Sequence, residues 1–231
     1  MNNRSVVALL PMKAHSERVK GKNFRMFHTK PLFKWILDTL LSIEKIDLVV
    51  INTDARNILK EHGLEESSRI MIRDRKPELC GDFVSMNLIL ADDIANVPAA
   101  TYLMTHTTNP LLSAGTIREA LEKYQGAENA GTADSLFTVN QFQSRFYRSD
   151  GSPVNHDPDN LIRTQDLEPW FEENSNLYIF SSGSFKSTNA RIGKNPILFP
   201  MKKIEAADID GQSDWELAEL IIKGIHNEKS I

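Results

Sequence analysis

Cysteine is nearly absent: the 231-residue chain has one, Cys80. A single thiol closes no intramolecular disulfide and supports no cysteine-based zinc site, so Cys80 reads as a packing residue. The six histidines are scattered, without the H-x-x-H or H-E-x-x-H spacing that sets two imidazoles on one metal ion. Long apolar runs are missing too, since none approaches the roughly 20 residues needed to cross a bilayer. The opening MNNRSVV lacks the charged, apolar and small-residue regions of a signal peptide, so a soluble, cytoplasmic protein is expected. Nor is there an excess of positive charge: 27 Lys and Arg against 31 Asp and Glu give a net charge of -4. Polyanions need a broad basic face, so no nucleic-acid partner is expected. Glycine-rich nucleotide fingerprints are also lacking, with neither G-x-x-x-x-G-K-[ST] nor G-x-G-x-x-G in the chain.

What remains has the proportions of a globular protein, with 41% hydrophobic and 25% charged residues. The length suits one large α/β domain. SVVALLP reads as a buried strand, and KPLFKWILDTLLSIEKI as an amphipathic helix with Leu32, Ile36, Leu37, Leu40 and Leu41 at helical spacing. IDLVVINTD is a second strand, followed by the short helix ARNILKEHG, stopped at Gly63. RIMIRD, AATYLMTH and SLFTVNQF supply three more strands, separated by the helices SMNLILADDIAN and SAGTIREALEKY. Alternating strands and helices predict a parallel sheet whose strand carboxyl ends share one edge, where ligands of open α/β sheets bind. From about 141 to 172 the rhythm breaks into a stretch with an Asp150-Gly151 hairpin signal, readable as a lid, a subunit contact or a surface loop. Phe142, Phe146 and Tyr147 read either as anchors of a contact or as a local hairpin cluster. The core resumes with NLYIFSSGSF and ILFPMKKIEAADID, and the helix SDWELAELIIKGI closes it, with Ser213 and Glu216 fitting a capping box.

Two segments carry chemistry. PMKAHSERVKGKN follows the first strand and holds Lys13, Arg18, Lys20 and Lys22 against Glu17. With Ser16 and Asn23 as neutral hydrogen-bonding partners, it has the parts to bind a small polyphosphate; a merely solvated basic loop is the alternative. In AADIDGQSDW an extended backbone sends Asp208 and Asp210 to one side and Ile209 to the core. Two carboxylates on one face suit magnesium, which takes few protein oxygens and completes its shell with water and phosphate. An acidic turn before a helix is the alternative, and Asp214 is read that way, as a negative charge at a helix start.

Beyond these readings, six segments in order resemble the acylneuraminate and 3-deoxy-octulosonate cytidylyltransferases: LLPMKAHSERVKGKNF, KPLFKWILDTLL, INTD, RDRKPELCGDFVS, THTTNPLL and DIDGQSDWELAE. The resemblance implies an α/β fold, a Rossmann-like, mostly parallel sheet sandwiched by helices, as one nucleotidyltransferase domain over 1–231 with an inserted hairpin region. It also implies transfer of CMP from CTP to the anomeric hydroxyl of an acidic 2-keto sugar, with Mg2+ as cofactor and a homodimer formed through the insert. Carried over by position, Lys13 and Lys22 act with Asp208 and Asp210 in catalysis, and the two aspartates hold magnesium. Lys13, Ser16, Arg18, Lys22, Asn23, Arg75 and Ser85 fall on the nucleotide side, and His106 and Asn174 on the sugar side.

Departures from the pattern bear on the substrate. Lys13 replaces an arginine and loses its bidentate fork, Glu17 replaces a lysine, His106 a glutamine, and Glu172 an arginine. Plain N-acetylneuraminate is therefore not the expected acceptor. A nucleotide-binding homologue without turnover, and an enzyme for another sugar or base, stay open. His106 itself reads as a hydrogen-bonding ligand, a structural residue or a general acid or base.

Overall fold

The computed structural model describes residues 4–228, so the first three residues of MNNRSVV lie outside the described part. The apolar run after Arg4 forms β1 (Arg4–Leu9), buried from Val6 onward because it has a parallel neighbour on each side. Those neighbours are β4 (Leu48–Thr53) and β6 (Ala99–Thr105), with β5 (Ile70–Asp74) outside β4. Between β1 and β4 lie a small antiparallel ladder, β2 (Met26–Phe27) with β3 (Lys30–Pro31), and α1 (Leu32–Leu41). The remaining strands are β7 (Ser135–Phe142), β8 (Trp170–Ser181) and β9 (Pro196–Pro200). They complete a seven-stranded sheet in the order β5-β4-β1-β6-β8-β7-β9. Only β8 runs against the others, pairing antiparallel with both β6 and β7. The mostly parallel α/β sheet implied by the sequence is thus present.

Helices α1 and α4 (Ala114–Asn129) cover one face: Phe33, Ile36, Leu37, Ile117, Leu121 and Tyr124 pack on Val6, Ala8, Val49 and Ile51. Helices α3 (Met86–Asn96) and α5 (Ser182–Thr188) cover the other, through Leu90, Ile94 and Phe185 against Val7, Leu9, Val50, Tyr102 and Met104. Each such side chain contributes about 1.5–3 kcal/mol through burial. A third apolar cluster matters most for function. Val19 and Phe27 from the chain after β1, Leu32 of α1, and Trp215, Ala218 and Ile222 of α6 (Gln212–Glu228) close around Ile209. Apolar contact therefore brings the basic loop and the aspartate segment together, although about 190 residues separate them in the chain.

Several local features depart from expectation. Helix α6 starts at Gln212, so the Ser213–Glu216 capping box does not form. Instead the Asp214 carboxylate reaches back and accepts the backbone N–H groups of Gly211 at 2.7 Å and Asp210 at 3.1 Å, satisfying donors at the helix start. Cys80 is not a core residue: it sits half-exposed after the short 3-10 turn Pro77–Leu79, its Sγ 3.5 Å from the Lys76 carbonyl. The short helix stopped at Gly63 is present as α2 (Arg56–Glu61), and Gly63 takes a positive φ of 70°.

The irregular stretch runs from 143 to 169, shorter than 141–172, because β7 and β8 extend into it from either side. Within it Gly151 turns the predicted hairpin with φ 82°, and the Arg148 N–H donates to the Ser152 carbonyl at 2.8 Å. Phe146 packs edge-on against Phe142 and stacks on Trp170 at 5.3 Å, a local hairpin cluster.

Candidate active site

The loop after β1 crosses the carboxyl ends of the parallel strands and is tied down on both sides. Asp54, just past β4, accepts the Ala14 N–H at 2.7 Å. Asn23 is buried and acts as a clasp: its amide donates to the Lys13 carbonyl at 2.8 Å and accepts from Thr107 Oγ1 at 2.6 Å. Gly21 supplies a positive φ of 61°, and its carbonyl accepts the N–H groups of Phe24 and Arg25, so the chain turns sharply and presents Lys22 inward. The result is an open cleft of about 350 Å3 lined by Lys13, Ser16, Arg18, Lys22, Asn23 and Arg75, together with His106, Thr107 and Asp210.

Asp210 meets the cations there. Arg18 Nη1 lies 2.9 Å from one Asp210 oxygen and Lys22 Nζ 3.9 Å from the other. Lys22 Nζ also donates to the Ile209 carbonyl, and the Ile209 N–H donates to the Thr108 carbonyl at 2.9 Å. Burial lowers the pKa of Lys22, while the charges of Asp210 and Asp208 oppose that shift. Ile209 is fully buried between the two aspartates, as alternation along an extended segment requires, although residues 207–210 form no strand. Burial raises the pKa of Asp208, a hydrogen bond with Thr108 lowers it, and the neighbouring Asp210 charge raises it further.

Asp208 Oδ1 is buried without a hydrogen-bond partner, a costly state for an acceptor unless a cation or donor meets it. That orphaned oxygen, two residues from the exposed Asp210, fits a hard divalent cation. Among the described residues no group of three or more His, Cys, Asp or Glu is placed to hold a metal ion, so such an ion would need to complete its shell from solvent and substrate.

Arg75 also lines the cleft, gripped through Nε by the Asn52 side chain at 3.0 Å and through Nη2 by the carbonyls of Met12 and Asn52. His106 also lines it, its pKa pulled down to about 4 by burial and by the nearby charges of Arg191 and Lys22. It is therefore a neutral imidazole at pH 7, able to share hydrogen bonds but not to act as a general acid.

Two sequence candidates stand apart. Ser85 is exposed at the start of α3, outside the cleft lining. Asn174 is buried in β8, its amide held by Thr138 Oγ1 at 2.7 Å and Asn140 Oδ1 at 3.2 Å. Glu17 lines the cleft, whereas Glu172 accepts from Asn140 on the β7–β8 ladder.

Sequence reasoning passed over Asp82, which pairs with Lys13 across the cleft and whose pKa that lysine lowers. It lies in the quoted RDRKPELCGD stretch, where an acid closing a loop of mixed charge was the available signal. Arg191 was missed as well; its guanidinium stacks over the Tyr178 ring at 4.0 Å. No local pattern marked it.

An open, mostly parallel α/β sheet with cations and a carboxylate pair converging at its strand carboxyl ends defines a class of protein built to hold a small, multiply charged ligand. Residues 7–219 match the cytidylyltransferase family model, and the chain belongs to that family of nucleotidyltransferases. Among curated proteins it is 25% identical over 222 residues to an N-acylneuraminate cytidylyltransferase of Oncorhynchus mykiss, covering 94% of this chain but only 50% of that protein. It is 22% identical to a pseudaminic acid cytidylyltransferase of Campylobacter jejuni, covering 95% of this chain and 97% of that protein. It is 24% identical to a CMP-N,N'-diacetyllegionaminic acid synthase of Legionella pneumophila, covering 94% and 96%. Among solved structures the fold matches a CMP:2-keto-3-deoxy-manno-octonic acid synthetase complexed with CTP, with a TM-score of 0.65 at 13% identity, covering 95% of this chain and 99% of that one. It also matches a 4-diphosphocytidyl-2C-methyl-D-erythritol synthase from Anaerococcus prevotii, with a TM-score of 0.68 at 10% identity and coverage of 95% and 96%.

Proposed function

We propose that this protein transfers CMP from CTP to the anomeric hydroxyl of a nonulosonate, an acidic 2-keto sugar, in the cytoplasm and with magnesium. The convergence of Arg18 and Lys22 on Asp210 carries the reading, because it joins the basic loop to the aspartate segment. Among the curated relatives, the names of an N-acylneuraminate cytidylyltransferase, a pseudaminic acid cytidylyltransferase and a CMP-N,N'-diacetyllegionaminic acid synthase support the acceptor class. In the reaction the anomeric oxygen bonds to the α-phosphorus of CTP, the bond from that phosphorus to the bridging oxygen breaks, pyrophosphate leaves, and the hydroxyl proton passes to solvent.

The residues divide this work. Lys13, Arg18 and Lys22 offer positive charge where the pyrophosphate departs, and Ser16 and Asn23 supply neutral hydrogen bonds. Asp208 and Asp210 would hold magnesium, which when bound neutralises phosphate charge and eases attack at the α-phosphorus. Arg18 and Lys22 pair with Asp210, so a triphosphate competes with that carboxylate for both cations. His106, neutral at pH 7, orients the acceptor by hydrogen bonding. Leu161, Ile162, Trp170 and Phe171 are exposed on and beside the insert, and they are proposed as a homodimer surface, checked by sedimentation of Trp170→Ser.

Pyrophosphate release from each of CTP, UTP, ATP and GTP, against a panel of nonulosonates with magnesium or EDTA, tests the reading. Release with CTP and a nonulosonate, abolished by EDTA, is expected. CTP binding without release for any acceptor would instead identify a nucleotide-binding homologue, and preference for another base would overturn the cytidylyl assignment.

A further inference from the structure

A charged network lies beneath the cleft wall. Asn52 and Asp93 are both fully buried, Asn52 at the end of β4 and Asp93 on α3. Asn52 Nδ2 donates to Asp93 Oδ1 at 2.8 Å, and Asn52 Oδ1 accepts from Arg75 Nε at 3.0 Å. A carboxylate can only accept, so Asp93 fixes which end of the Asn52 amide faces it, and the carbonyl end must then face Arg75. Arg75 is thereby held along its Nε–Nη2 edge, with Nη1 making no hydrogen bond to the described residues.

We infer that Asp93, through Asn52, is a positioning residue that sets the Arg75 guanidinium for reading the nucleotide base. The inference rests on the cytidylyltransferase reading and names how that site would choose its base. Guanidinium only donates, so it suits the acceptor atoms O2 and N3 of cytosine. In uracil N3 carries a proton, which opposes that donor. Asp93 also pairs with Arg73, but Arg73 has a second carboxylate partner in Asp92 at 2.8 Å, whereas among the described residues no other carboxylate meets the Asn52 amide. The groups facing Asp93 are Arg73, Asp92 and Asn52, with Arg75 behind Asn52 and Lys76 holding Asp92 at 2.6 Å. Burial raises the pKa of Asp93 to about 6, so mild acid protonates it. A protonated Asp93 can donate, and it no longer dictates the amide's orientation.

Titration calorimetry of the full chain with CTP and with UTP tests this without any acceptor. Asp93→Asn and Asn52→Ser are each expected to weaken CTP about tenfold and to bring the CTP and UTP affinities together. Asp92→Asn, which removes a partner of Arg73 but none of Asn52, is expected to leave both affinities within about twofold, even if it melts earlier. Wild-type CTP affinity should fall on acidification through about pH 6, and that of Asp93→Asn should stay flat there. Asn52→Ser breaks the relay without touching the buried acid, so it reports even where Asp93→Asn folds poorly. CTP affinity and base preference unchanged in both variants, or unchanged in Arg75→Ala, would overturn the inference. A wild-type chain that binds CTP selectively yet turns over no nonulosonate would leave this relay intact and end the transferase reading.

Discussion

Replacing Asp210 by Asn separates the site's chemistry from its folding. The carboxylate is 56% exposed and pairs with Arg18 at 2.9 Å and Lys22 at 3.9 Å. Coulomb attraction in water at the shorter distance is about 1.4 kcal/mol, and ordering two exposed side chains offsets part of it. The pair therefore stabilises the fold by no more than about 1 kcal/mol, and Tm should fall by only about 2–4 °C in a domain of this size. Affinity for CTP without metal should hold or rise, because Arg18 and Lys22 lose the anion that competes with phosphate for them. Turnover, by contrast, should drop by about 1000-fold or more, since a group stabilising transition-state charge is commonly worth 3–4 kcal/mol. Calorimetric CTP binding in EDTA, a thermal melt and pyrophosphate release in magnesium measure the three quantities. Full turnover in the variant would refute the reasoning, as would a collapse of CTP binding with no change in Tm.

Ile209→Ala should cost about 2–4 kcal/mol in urea melts, because it leaves a cavity beside Trp215 and Val19. It should lower turnover more than Leu59→Ala, a buried change remote from the cleft. Asp214→Ala removes the acceptor for the Asp210 and Gly211 N–H groups, so a stability loss of about 1 kcal/mol is expected together with reduced magnesium-dependent turnover. Two buried groups should pull stability in opposite directions below neutrality. His106, lowered from 6.5 to about 4, binds fewer protons folded than unfolded in that window, so acidification from 6.5 to 4 removes about 3 kcal/mol. Asp93, raised from 3.8 to about 6, binds more protons folded, so the same acidification adds about 3 kcal/mol. Relative to wild type, urea midpoints of Asp93→Asn should therefore fall faster in acid, and those of His106→Asn should fall more slowly; parallel pH profiles in all three proteins would refute both assignments.

How much of this was legible beforehand follows from how far each feature reaches along the chain. The strand and helix alternation through β7 shows in the sequence because burial imposes a period on neighbouring residues, as with Leu32, Ile36, Leu37 and Leu40 on α1. The burial of Ile209 between two acids follows from the same alternation. The direction of β8 does not show, since a buried strand of either sense reads as an apolar run. Nor does the start of α6, where Asp214 outcompeted the Ser213–Glu216 pattern once Gly211 let the chain turn one residue earlier.

The relay beneath Arg75 is the instructive case, because its signal was present and local. On α3 the buried stripe runs through Ile89, Leu90 and Ile94, and Asp93 occupies a position on that stripe where an apolar residue belongs. A carboxylate on the core face of a helix breaks the local rule at a cost, and such breaks concentrate where a site needs them. The sequence therefore marks position 93 as anomalous. It cannot name the partner, because Asn52 lies 41 residues away on strand β4, and only the packing of α3 on the sheet brings the two together.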